Sequence, residues 1–315
     1  MQTSGAFFLA SIRKQNEQRM INAASPIKEY ALPITRKRKL GIAEFGVQDG
    51  FPVFWFPGTP GGRRQVPYEA RQFANNNKLR IICVERPGIG LSTRYLYEDI
   101  HAFSDDIAFV IEQLSIEKCG VVALSGGGPY ALACANALSE QVVAAAVFGG
   151  VAPTIGEEAA EGGPTAKAVP VEKLLTWMKR PLGSSLTWGV RMLHPVANPV
   201  VDAIVKYIPG HETAMIARPE IRDMFLDDIL DSSKGGLHSI VHDIILFARP
   251  WGFSLSGIAV PVHFWQSDED PLVPVEHARA MSALIPNSAL TVCENAGHLE
   301  GLNKTAEALG FILDN

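Results

Sequence analysis

Short, mostly apolar runs rich in β-branched side chains recur at residues 52–56, 80–85, 119–124, 143–149, 260–265 and 289–293. A run that is apolar at successive positions has no face to offer water, and so reads as a strand buried on both sides of a parallel sheet. Between these runs the period lengthens. Residues 103–114 bring Ile107, Val110, Ile111 and Leu114 to one side of a helix. Strand alternating with helix predicts a doubly wound, mostly parallel α/β sheet. Each run stops at a Gly-, Pro- or acid-rich loop, and these loops fall at the C-terminal ends of the strands, the edge where open α/β sheets bind ligands. Upstream, two further strand-like runs at 30–34 and 40–45 flank Arg36-Lys37-Arg38-Lys39. That placement predicts a solvated hairpin turn rather than a localisation signal.

The alternation breaks between 154 and 249. An acidic, Gly-rich loop at 157–163 opens the region. Helical periods follow at Leu174/Leu175/Met178 and at Ile240/Val241/Ile244/Ile245/Ala248, with Pro199 and Pro219 placed as first helical residues. The pattern predicts a helical cap, 154–249, inserted into an α/β core made of 25–153 and 250–315, behind an N-terminal segment 1–24. That segment has a short apolar stretch without a basic region before it or a small-residue cleavage site behind it, so no secretory leader is expected. Packing on the domain or fraying is the expectation there, with an amphipathic helix on a membrane surface as the alternative.

Composition narrows the function classes. With 47% hydrophobic residues and a net charge of −5 over 315 residues, the chain is expected to fold rather than stay disordered. A balance of 28 basic to 33 acidic residues lacks the electrostatic footprint of a nucleic-acid binder. No apolar run is long enough to span a bilayer. The four cysteines, Cys83, Cys119, Cys134 and Cys293, show neither CxxC nor Cys/His metal spacing, which predicts reduced thiols and a cytoplasmic location. The histidines show no HExxH spacing, and neither metal nor organic cofactor is expected.

The candidate chemistry begins at Ala123-Leu124-Ser125-Gly126-Gly127-Gly128-Pro129, a strand running directly into a helix. A serine on so sharp a turn needs small neighbours two residues to either side. It gains a side chain held above the sheet edge, with the next N–H beside it and a helix N-terminus beneath. A phosphate-binding loop would instead show a Lys-Ser/Thr ending or GxGxxG, and neither is present. A nucleophilic serine needs a base, and the base an orienting carboxylate. Asp268 and Asp270 follow the strand ending at Trp265, and His298, in Ala296-Gly297-His298, follows the strand ending at Cys293. Serine, acid, histidine is the chain order for a triad on this architecture. Asp270, which precedes Pro271-Leu272-Val273-Pro274 and a helix predicted at 275–284, is the first candidate acid, with Asp268 in reserve.

The loops at 56–62 and 85–92, the serine turn, and the acid and histidine loops together make the chain resemble a lidded, esterase-like serine hydrolase of the α/β-hydrolase fold. The likeness runs from about residue 27 to 315, except across the cap. It implies Ser125 as nucleophile, His298 as base and Asp270 as acid. It also implies an oxyanion hole formed by the N–H groups of Thr59 and Gly126, with Thr59 in a loop where Pro57 replaces the usual bracing histidine. Ala123 stands for the first glycine of Gly-x-Ser-x-Gly, and Glu85 for a more frequent aspartate in a structural turn, where Gly88 and Gly90 serve the chain reversal. The implied activity is hydrolysis of a small-molecule carboxylic ester. Hydrolysis of amides or carbon–carbon bonds by the same triad, or a non-catalytic hydrolase-fold binding protein, are the alternatives. The cap's Leu174, Trp177, Met178, Trp188 and Met192, with Tyr207, Met215, Met224 and Phe225, either line an apolar acyl or aromatic pocket or bury the cap against itself.

Overall fold

A computed structural model describes residues 25–197 and 210–315. The expectations placed on 1–24, Pro199 and Tyr207 lie outside those residues. An eight-stranded sheet runs in the order β1 (Lys28–Pro33), β2 (Lys39–Gly46), β4 (Leu79–Val84), β3 (Phe51–Phe56), β5 (Cys119–Leu124), β6 (Val142–Phe148), β7 (Val262–Ser267), β8 (Ser288–Cys293). β1 and β2 form the antiparallel hairpin, pairing Lys28 with Glu44 through Pro33 with Lys39, and the basic run supplies its turn. β2 also runs antiparallel to β4, and the remaining pairs are parallel. The strands begin and end within two residues of the sequence pattern. β7 starts at Val262 rather than 260, immediately after Pro261, which has no N–H to give a ladder.

Period-two alternation sends neighbouring side chains to opposite faces of the sheet, and both faces are covered. Phe54, Phe56, Val121, Ala123 and Val147 pack against α2 (Phe103–Gln113), α3 (Gly128–Ala137) and α9 (Val275–Leu284). Val53, Trp55, Val122, Leu124 and Phe148 pack against α1 (Tyr68–Asn76) and α10 (Thr305–Leu313). This double burial explains why the strands read as unbroken apolar runs.

Between β6 and β7 the described residues form helices and no strand: α4 (Gly163–Ala166), α5 (Glu172–Leu193), α6 (Gly210–Ala217), α7 (Pro219–Ser233) and α8 (His238–Phe247). Pro219 is the first residue of α7, where its missing N–H costs nothing. This inserted helical cap joins the core through the turn at Gly88 and Gly90, both at positive φ, where Gly88 O accepts the His238 N–H at 2.7 Å. No helix among the described residues is long and apolar enough to cross a membrane.

Candidate active site

β5 delivers Ser125 at its C-terminal end in a left-handed conformation, φ +51°, which a non-glycine residue adopts only where its surroundings enforce it. The enforcement comes from both sides. Ala123 is fully buried, and a methyl group on Gly127 would overlap the backbone carbonyl of Phe56 on the neighbouring strand. The chain then turns into α3, so the positive end of that helix lies under the serine.

His298, 6% exposed, sits in the loop after β8. Its Nδ1 is 2.6 Å from Asp270 Oδ2. Asp270 is itself fixed: Oδ1 accepts the N–H groups of Leu272 and Val273, each at 2.8 Å, and Oδ2 accepts Gln266 Nε2 at 3.0 Å. Asp268 is exposed, and its Oδ1 accepts Ala296 N–H at 3.3 Å; the carboxylate on the imidazole is that of Asp270. Ser125 and His298 line one cavity of about 630 Å³ together with Thr59. No hydrogen bond joins the serine hydroxyl to the imidazole in this structure; such contacts often tighten only around bound substrate.

The loop after β3, residues 57–65, arches over Ser125. Thr59 packs on Gly126 so closely that a methyl group there would overlap Thr59 Oγ1. Pro57 leaves the loop without a histidine brace, and the structure supplies a different one. Buried Arg86 donates from one guanidinium nitrogen to Pro57 O (2.6 Å) and from the other to Gly58 O (2.7 Å). Asp243 of α8 neutralises it through Nε (2.9 Å) and also accepts Thr59 Oγ1–H (2.5 Å) and Tyr130 O–H (2.7 Å). On the other flank, Asp228 of α7 accepts Gly62 N–H (2.7 Å) and Arg64 N–H (2.9 Å). Burial pushes the Asp228 carboxyl up to about 7, against the pull of those two N–H donors. The cap therefore holds the loop through two buried aspartates. Glu85, fully buried, receives Arg63 (2.6 Å) and the N–H groups of Leu91 (2.7 Å) and Ser92 (3.1 Å), which is a structural role.

The pattern of the chain missed Arg86, Asp243 and Asp228. One signal was present: an aspartate amid Ile240, Val241, Ile244 and Ile245 stands where a helix is buried all round, and a buried charge requires a partner. No group of three or more His, Cys, Asp or Glu among the described residues is placed to hold a metal ion.

A family model described as "Alpha/beta hydrolase family" matches residues 53–308. The chain belongs to this family. No curated protein matches the sequence of this alpha/beta hydrolase. Solved structures share its fold at low identity. A thermophilic esterase from Thermogutta terrifontis is 19% identical with a TM-score of 0.64, covering 91% of this chain and 98% of its own. An esterase from Exiguobacterium antarcticum is 19% identical at 0.65, covering 91% and 100%. A bromoperoxidase from Bacillus anthracis is 18% identical at 0.63, covering 91% and 100%.

The hydrolase's cavity is walled by Ile216, Phe225, Leu226 and Ile229 of the cap, and by Leu124, Leu272 and Leu299 of the core. Of the cap residues expected either to line a pocket or to bury the cap against itself, Phe225 lines the cavity. Met215 and Met224 are buried instead, and Trp177 (79% exposed), Trp188 (66%), Leu174 and Met192 lie open on α5. α5 packs its other side on α8, so its aromatic positions point away from the sheet edge, and α6 and α7 cover Ser125 instead.

Proposed function

We propose that this protein is a serine hydrolase that cleaves carboxylic esters with an apolar acyl group, its core formed by 25–153 and 250–315 and its cap by 154–249. Ser125 is the nucleophile, His298 the base and Asp270 the acid that holds the imidazole. The observation that carries the reading is the 2.6 Å contact of Asp270 with His298 Nδ1, in a cavity shared with a serine at positive φ. With Nδ1–H given to Asp270, Nε2 is the nitrogen left to take the serine proton. Ser125 Oγ attacks the ester carbonyl as His298 takes that proton. Gly58 N–H is already bound to Gln65 Oε1 (2.6 Å), so Thr59 N–H is the donor this loop offers the oxyanion, paired with Gly126 N–H. His298 then protonates the departing alkoxide, and water repeats the sequence on the acyl-enzyme.

The esterases among the structural neighbours support the ester reading, and the aliphatic wall supports an apolar acyl chain over a polar one. The buried free thiols Cys83, Cys119 and Cys134 fit a reducing, cytoplasmic setting. The test is Ser125→Ala assayed on p-nitrophenyl esters of increasing chain length, with fluorophosphonate labelling of both proteins. The wild type is expected to turn over and to label, and the variant to do neither. A variant that keeps its activity would remove Ser125 from the reaction. A wild type that neither labels nor hydrolyses would favour a binding role.

A further inference from the structure

Glu212 stands on α6, in the cap, yet its carboxylate lies against the loop of the base. It is 6% exposed and lines the same cavity as Ser125 and His298. Its Oε1 accepts the N–H of Leu299, the residue after the base, at 3.2 Å. Leu299 is the N-cap residue of the helical turn Glu300–Lys304 that leads into α10, and the first N–H groups of such a segment have no partner within it. A carboxylate supplied from another element satisfies that of Leu299 and meets the positive end of the segment. α6 is seated there by Met215, which is buried in the core cluster that contains Leu302 and whose sulfur receives Asn303 Nδ2 at 3.5 Å.

Gly297 completes the fit. It is not among the positive-φ glycines, so no turn requires it. A methyl group at its Cα would, however, overlap Glu212 Oε1. The glycine beside His298 is thus the space into which a cap side chain fits.

We propose that Glu212 is a positioning residue: by accepting the Leu299 N–H next to His298 from α6, and filling the space left by Gly297 on its other side, it makes correct placement of the base depend on a seated cap. The proposal rests on reading His298 as the base. Glu212 also sets the local field. The imidazolium formed during turnover faces two carboxylates, Asp270 at Nδ1 and Glu212 beside the backbone, with Arg222 on the same cavity wall as the opposing charge. Burial pushes the Glu212 carboxyl up and Asp270 adds to this, while His298 and the neighbouring backbone N–H groups act against it.

The test is a set of four variants, Glu212→Ala, Gly297→Ala, their double and Glu212→Gln, assayed on a p-nitrophenyl ester, with fluorophosphonate labelling of the wild type. Each single alanine change is expected to lower kcat by roughly ten- to hundredfold, the scale on which a displacement of about 1 Å acts. The double variant should be no worse than Glu212→Ala alone, because the Gly297 methyl group then occupies the vacated space. Glu212→Gln keeps the shape and removes the charge, so the acidic limb of kcat/KM should move to lower pH, a shift that a purely structural contact would not produce. Losses that multiply in the double variant, or an acidic limb that stays in place, overturn the role of Glu212 in an active, labelled enzyme. A wild type that neither turns over nor labels at Ser125 overturns the catalytic reading and this proposal with it.

Discussion

The brace on the loop after β3 can be tested by removing its charges one at a time and then together. In Asp243→Asn, Arg86 keeps its donors to Pro57 O and Gly58 O but loses its counter-charge, and the new amide N–H₂ group faces donors from Thr59, Tyr130 and Arg86. Both charged side chains are almost fully buried, 2% and 1% exposed. A charge left unpaired in such a site costs about 3–5 kcal/mol. Arg86→Met leaves the Asp243 charge unpaired and orphans two loop carbonyls, for a loss of similar size. Arg86→Met combined with Asp243→Asn leaves no unpaired charge, so the double variant should be less destabilised than the sum of the singles, by about 2 kcal/mol or more, measured by urea unfolding. Its loop carbonyls are still unbraced, so kcat on a p-nitrophenyl ester should remain roughly ten- to hundredfold below wild type under conditions where it is folded. Additive destabilisation would refute the buried pairing. A double variant with wild-type kcat would refute the claim that this pair positions Thr59.

Two further changes separate neighbouring carboxylates by their surroundings. Asp270→Asn should lower kcat by about 10⁴-fold, the scale seen when an orienting carboxylate is neutralised, whereas exposed Asp268→Asn should stay within about twofold of wild type; the reverse ranking would exchange their roles. Asp228 tests burial through pH. Its carboxyl is raised from 3.8 to about 7, so between those values the folded protein retains a proton that the unfolded chain releases. Its stabilising contribution is therefore complete below about 4 and is lost as pH climbs to 7. Asp228→Asn removes this titration, so the Tm of the wild type should fall relative to the variant across that window, and a constant gap between the two Tm curves would refute the assignment.

What the chain pattern determines by itself is whatever repeats locally. Strands covered on both faces must be apolar at successive positions, so β3 through β7 are legible as runs, and the loops that end them mark the functional edge of the sheet. Ser125 is legible because its strained turn dictates its immediate neighbours. Asp270 and His298 stand out by chain order after a strand, although only the folded chain sets Asp270 rather than Asp268 on the imidazole. The brace and the cap contacts are not local. Arg86 meets Asp243 across 157 residues, and Glu212 meets Leu299 across 87. A buried charge announces that it needs a partner but not where that partner lies, because the partner is chosen by packing between elements rather than by spacing along one. The outward face of α5 shows the same limit. Trp177 and Trp188 have the composition of a pocket wall, and only the packing of α5 on α8 turns them away from Ser125.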